Sequence, residues 1–333
     1  MKLQNLQVLR GISALLVCGF HMTSHLNQKD FLLGDILFSR GSLGVPIFFV
    51  ISGFIMAYTT QNINLSQQNI LSQIASFLKK RIIRIVPLYY FLSFAWIVMG
   101  GSLFLIFEGE AFKRVWHSIL FLPQNGVPPV LFLGWSLNFE MFFYLIFSLS
   151  FFFLSKRYWF VFLFFITAIT IGWFTKIESA YLQMVTNIIN IYFLIGIAFA
   201  LIFHKIRMSK AVAIVISILG GLSFLFLLFA PDGYIGNVWT IMLIIALIVF
   251  SFLLMDYIIQ FKPYQFWIHL GNISYSVYLV HPFVEIVTRK YKLEGWLNIP
   301  LFMGKVGLVI LISTCTYYLI EKKFTNYLKS KLA

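Results

Sequence analysis

The stretch Arg10-Gly-Ile-Ser-Ala-Leu-Leu-Val-Cys-Gly-Phe-His21 is apolar enough to enter a bilayer, yet it carries a guanidinium at one end and an imidazole at the other. On an α-helix a step of eleven residues is three turns plus about 20°, with a rise of roughly 16 Å. The spacing therefore predicts one helix with Arg10 and His21 on one face, about half a membrane thickness apart. A titratable side chain inside a membrane is expensive to hold there and points to function. The pattern suggests a cation near one membrane surface and a base deeper in the protein, with the rest of the chain as their container.

The composition defines that container. The 333 residues are 60% hydrophobic and 11% charged, with 39 Phe, and mean hydropathy is +0.90. A soluble domain has about 25% charged residues. An all-α, polytopic membrane helix bundle is predicted, and the length allows about ten spans of ~20 residues. These fall near 6–26, 41–60, 82–106, 135–154, 158–175, 184–203, 211–230, 237–256, 268–288 and 300–320. No cleavable leader is expected, because no small-residue cleavage site follows the first apolar run. The net charge of +14 is explained by the positive-inside rule without a nucleic-acid partner. With a cytoplasmic N-terminus, 16 of the 25 Lys and Arg lie inside and 9 outside, which favours an even number of spans and two cytoplasmic termini. Cys18 and Cys315 both fall in spans and read as small packing residues. The whole of 1–333 reads as one transmembrane domain, with no fused extracytoplasmic domain expected.

Polar residues interrupt the apolar pattern at a few places. The second span opens Gly41-Ser-Leu-Gly-Val-Pro46 and continues to Ser52-Gly53, where small residues let helices approach closely and Ser52 is also a candidate nucleophile. Segment 70–80 reads as an amphipathic helix at the membrane surface. It leads into Lys79-Lys-Arg81-Ile-Ile-Arg84. Arg81 and Arg84 are neighbours at i, i+3. They serve either as a membrane anchor or, better for Arg84 one turn inside the span, as paired forks for phosphate oxygens. Residues 107–134 form the longest outside loop, with a surface helix over 111–122 and an interfacial His117. The fourth span begins Trp135-Ser-Leu-Asn138-Phe-Glu140, and a carboxylate at that depth needs a cation or hydrogen-bond donors. The ninth contains Ser274-Tyr275-Ser-Val-Tyr278-Leu-Val-His281-Pro-Phe-Val-Glu285. Tyr278, His281 and Glu285 share one helix face there, lining a polar cavity. No phosphate-cradling Gly-rich loop, metal-ligand spacing or Gly-x-Ser-x-Gly is present.

Five motifs in order resemble the acyltransferase family 3 integral membrane proteins, which acylate sugar hydroxyls of bacterial surface polysaccharides. They are Arg10-x10-His21, Gly44-Val-Pro-Ile-Phe-Phe-Val-Ile-Ser-Gly-Phe54, Arg81-x-x-Arg84, Trp135-Ser-Leu-Asn-Phe-Glu140 and Ile273-Ser-Tyr-Ser-Val-Tyr-Leu-Val-His281-Pro. The start of the chain and the run Asn138-Phe-Glu-Met-Phe-Phe-Tyr144 are most similar to the exopolysaccharide (succinoglycan) acetyltransferase branch. The resemblance covers nearly the whole chain. It implies a bacterial inner-membrane enzyme that takes an acyl group from cytoplasmic acetyl-CoA. The acceptor would be a sugar of a polysaccharide or its lipid-linked precursor beyond the membrane. It also implies a catalytic role for His21 and a donor-binding role for Arg10, Arg81 and Arg84. The family commonly carries an acid after Gly-Val, where this chain has Pro46.

The residues suit that chemistry. A neutral imidazole takes a proton from a sugar hydroxyl near neutral pH, and the guanidiniums match the anionic nucleotide end of CoA. Since Pro46 cannot orient an imidazole, Glu140 is expected as the catalytic acid partner of His21, with Asp30 and Asp35 as rivals. Asn138, Tyr275, Tyr278 and His281 are expected to bind substrate, the first three as possible oxyanion donors. An acyl-enzyme on His21 or Ser52 is a second route. The competing functions are a flippase for a lipid-linked sugar, which leaves Arg81 and Arg84 unexplained, and a structural component of a polysaccharide assembly complex.

Overall fold

The computed structural model describes residues 2–28, 31–63, 65, 66, 68–101, 109–230 and 237–332. Asp30 lies outside them. The regular structure of the described residues is helical: α1 (Gln4–His21), α2 (Thr23–Leu26), α3 (Leu33–Phe38), α4 (Gly44–Thr60), α5 (Ile70–Met99), α6 (Gly109–Ile119), α7 (Gly134–Leu149), α8 (Arg157–Phe174), α9 (Ala180–Thr186), α10 (Ile191–Phe203), α11 (Lys210–Phe229), α12 (Val238–Leu254), α13 (Gln265–Asn272), α14 (Ser274–Thr288), α15 (Asn298–Thr316) and α16 (Lys322–Leu332). Among the described residues no strand forms, only one isolated bridge between Gln124 and Val127. Among the described residues six helical stretches are long and apolar enough to cross a membrane, or seven if the pair Ala180–Thr186 and Ile188–Phe203, bent by 41°, counts as one span.

The ten expected spans are not all distinguished by that measure, for three reasons. Polar side chains keep α1 out of the count, and α13 and α14, with 8 and 15 residues, are each too short by themselves, although each lies where a span is expected. The expected fourth and fifth spans merge into one stretch of 41 residues, Gly134–Phe174. That stretch is a hairpin. Leu154 adopts φ 49° between α7 and α8, and Phe142 of α7 meets Phe165 of α8 with ring centroids 5.9 Å apart. One straight helix would hold those residues more than 30 Å apart.

Two compact units form. The first comprises Met1–Ile55 and Ala198–Tyr317, the second Met56–Ile197 and Tyr318–Ala333. In the first, α1 is the buried centre. Its N-terminus is capped by Asp256, whose carboxylate accepts from the Asn5 backbone N–H at 2.9 Å, the Leu6 N–H at 3.0 Å and Asn5 Nδ2 at 2.9 Å. Those N–H groups have no partner inside the helix and sit at its positive end, so an anion there is favourable. Two glycines let backbones approach α1. A Cβ on Gly271 of α13 would collide with the Gln7 carbonyl, and one on Gly44 of α4 with the Ser13 carbonyl.

In the second unit, α5 runs unbroken for 30 residues with Pro87 inside it. The expected surface helix over 70–80 and the third span are therefore one element, about 45 Å long. Phe77 explains the continuity: its ring packs against Tyr144, Phe147 and Phe151 at 6.2, 5.4 and 5.6 Å. Segment 70–80 thus packs against protein through that residue. Arg157, buried at the start of α8, donates to the Thr60 carbonyl at 2.8 Å and satisfies the end of α4. The expected surface helix at 111–122 is α6. His117 on it bonds the Pro123 carbonyl through Nδ1 at 3.1 Å.

Candidate active site

The α1 helix carries Arg10 and His21 on one unbroken rod, as the spacing requires. Arg10 is half-buried and donates from Nη1 to Gln7 Oε1 at 3.0 Å. His21 closes the last turn. The helix stops at Met22, which has φ −103° and ψ 11°, and whose N–H bonds the Cys18 and Gly19 carbonyls at 3.1 Å. His21 thereby sits at the C-terminal end of α1.

In the first unit the ring facing His21 is His281, at 5.2 Å between centroids and 25° between planes. His281 is fully buried. Its Nδ1 meets the Val277 carbonyl at 3.1 Å. A carbonyl only accepts, so Nδ1 bears the proton and Nε2 keeps its lone pair. That Nε2 has no hydrogen-bond partner among the described residues. Tyr278, one turn back on α14, meets His281 edge-on at 6.2 Å and Phe48 at 6.3 Å. Tyr275 is half-buried on the same helix. The polar face read from α14 thus meets the end of α1, bringing His21, Tyr278 and His281 together.

Sequence reasoning missed two members of this unit. His25 is fully buried and Lys305 of α15 is only 4% exposed. Lys305 Nζ lies 3.0 Å from His25 Nδ1, and His25 Nε2 lies 3.6 Å from Glu285 Oε1. The available signals were a lysine inside an apolar span and a second imidazole four residues after the first.

Arg81, Arg84, Asn138 and Glu140 belong to the second unit. Arg81 is half-buried, its guanidinium 5.5 Å from the Phe77 ring centroid and 6.0 Å from that of Tyr144. Its Nε has no hydrogen-bond partner among the described residues. Tyr144 donates its hydroxyl to Glu140, and Arg84 and Glu140 both act electrostatically on Arg81. Within this unit, then, Glu140 belongs to the surroundings of the arginine pair. Asn138 is 3% exposed, with Oδ1 unpartnered among the described residues. Ser52 is buried on α4 in the first unit. Among the described residues no three of His, Cys, Asp and Glu gather as metal ligands would.

Comparison with known proteins gives this arrangement a family. The acyltransferase domain of acyltransferase family 3 matches residues 3–318. The exopolysaccharide production protein ExoZ of Rhizobium meliloti is 28% identical, over 86% of this chain and 90% of that protein. The O-acetyltransferase OatA of Staphylococcus aureus is 26% identical, over 94% of this chain but 56% of its own length, so the chain spans little more than half of that relative. No solved structure matches. A polytopic helical chain with an imidazole pair at the end of its central helix, matched over almost its full length, belongs to acyltransferase family 3, the membrane O-acyltransferases.

Proposed function

We propose that the protein moves an acyl group, in the first instance acetyl, from cytoplasmic acetyl-CoA to a sugar hydroxyl. The acceptor is a surface or exported polysaccharide or its lipid-linked precursor, and the enzyme resides in the bacterial cytoplasmic membrane. The observation that carries this reading is the stacked pair His21 and His281 at the end of α1, on the helix that also bears Arg10. The names of the relatives, an exopolysaccharide production protein and an O-acetyltransferase, agree with it.

In this reading His21 is the general base. It takes the hydroxyl proton as the sugar oxygen attacks the thioester carbonyl; the tetrahedral intermediate expels the CoA thiolate, and the imidazolium returns the proton to that sulfur. Proton and leaving group balance without a net change. Arg10, Arg81 and Arg84 hold the donor's phosphates, since planar forks match phosphate oxygens. Asn138, Tyr275, Tyr278 and His281 contact substrate. Positioned donors among them stabilise the oxyanion, a term worth several kcal/mol in comparable sites. Glu140 is proposed as a catalytic acid. Its bond from Tyr144 and its field on Arg81 favour a second role, organising the donor arginines.

The test is CoA release and acyl transfer by purified protein supplied with acetyl-CoA and surface polysaccharide freed of esters by mild alkali. His21→Ala should lose about 10²–10⁴-fold in transfer, with acetyl-CoA affinity nearly unchanged. A wild-type protein that releases no CoA yet translocates a lipid-linked sugar is a flippase. Full activity in His21→Ala removes the mechanism.

A further inference from the structure

We propose that His25, Lys305 and Glu285 are positioning residues for acyl transfer: an ammonium–imidazole–carboxylate series that holds the break after α1 against α14, so that His21 and His281 keep their stacked geometry. The inference rests on the reading of His21 as the base.

The observations interlock. Two pairs face each other along α1–α2 and α14, His21 with His281 and, four residues further on both segments, His25 with Glu285. One register therefore sets both contacts, and fixing the second pair fixes the first. Lys305 supplies the third member. Its ammonium donates to His25 Nδ1 at 3.0 Å and to the Tyr291 carbonyl at 2.5 Å. An ammonium has no acceptor site, so His25 Nδ1 holds a lone pair and the ring proton lies on Nε2, which is 3.6 Å from Glu285 Oε1, within reach of its charge but too far for a hydrogen bond. Glu285 is also 3.8 Å from Arg289 Nε. The charged groups around His25 are thus Lys305 on α15, Glu285 on α14, and Arg289 and Lys292 beyond its end.

The break itself is tied down from the same side. Lys292 Nζ donates to the Ser24 carbonyl and Asn298 Nδ2 to the His25 carbonyl, each at 2.6 Å. A segment whose role is packing alone is served as well by apolar residues, which avoid desolvating a lysine and a histidine. What the polar series supplies and apolar filler lacks is direction: Lys305 bridges His25 Nδ1 and the Tyr291 carbonyl, Lys292 and Asn298 hold the Ser24 and His25 carbonyls, and together they orient α2 relative to α14.

The test uses the full-length protein and reads CoA thiol release from acetyl-CoA with alkali-treated surface polysaccharide as acceptor. His25→Leu should lower turnover at least tenfold while KM for acetyl-CoA stays within twofold. His25→Asn, whose Oδ1 replaces Nδ1 as acceptor for Lys305, should recover to within about threefold of wild type. The double variant His25→Leu/Lys305→Met removes both buried partners together and so keeps its stability. It should melt like wild type yet remain at least tenfold slow. A second readout needs no turnover: carbethoxylation of His21, followed by mass spectrometry, should change at least threefold in the double variant. Wild-type turnover in the double variant, unchanged His21 reactivity, or His25→Asn as slow as His25→Leu each overturns the proposal. A wild-type protein that releases no CoA refutes the enzyme reading, while His21 reactivity still decides this one.

Discussion

Arg81 lies against the faces of two aromatic rings, and its Nε–H has no protein acceptor among the described residues. A membrane anchor would turn its charge to water or headgroups; a guanidinium backed by rings is pre-oriented to present its fork of donors to phosphate oxygens. Each charge-assisted hydrogen bond is worth about 1.5–3 kcal/mol. Arg81→Ala and Arg84→Ala should therefore each raise KM for acetyl-CoA about tenfold or more, and unchanged KM in both folded variants returns the pair to anchoring. Glu140→Gln separates its two roles. A carboxylate acting on the base favours imidazolium, so its loss should move the acid limb of the rate profile to lower pH and reduce the plateau. If Glu140 instead organises Arg81, donor KM rises and the limb stays in place. Wild-type behaviour in both respects removes Glu140 from the mechanism.

At the scale of elements, α1 depends on residues far from it in sequence. Its own N-terminus offers no capping side chain, since Leu3 stands at the N-cap. Asp256, in the turn after α12, does that work with three accepted bonds. Asp256→Ala should cost about 2–3 kcal/mol, from bonds to a charged acceptor and the lost helix-dipole contact. Thermal unfolding in detergent should show a fall of several degrees, smaller for Asp256→Asn, and an unshifted Asp256→Ala transition would remove the cap from the account. The merging of segment 70–80 into α5 has the same origin. An amphipathic pattern there fits a surface helix equally well, and the deciding fact is that Phe77 packs into a cluster of rings from α7 and the segment after it.

For the molecule as a whole, the basic bias of 16 inside to 9 outside still carries the topology. Ten spans with Lys79 and Lys331 cytoplasmic and Lys113 external are expected. Cys18 is buried and Cys315 exposed, so a Cys315→Ala background leaves a silent thiol on which single cysteines can be placed. An impermeant maleimide applied to intact cells should label Lys113→Cys and spare Lys79→Cys and Lys331→Cys. The opposite pattern defeats the topology.

The sequence by itself determined that this chain is a polytopic helical membrane protein of acyltransferase family 3. Hydropathy and the spacing from Arg10 to His21 are local properties that survive any packing. It also determined that Tyr278, His281 and Glu285 share a face, because helical period is local too. What that face meets is a matter of register between helices remote in the chain, and only the tertiary structure decided it. His21 stacks on His281, His25 joins Lys305 and Glu285, Asp256 caps α1, and Glu140 lies with Arg81 and Tyr144. A buried polar group takes whatever partner its neighbours present, and its own sequence reveals only that it must have one.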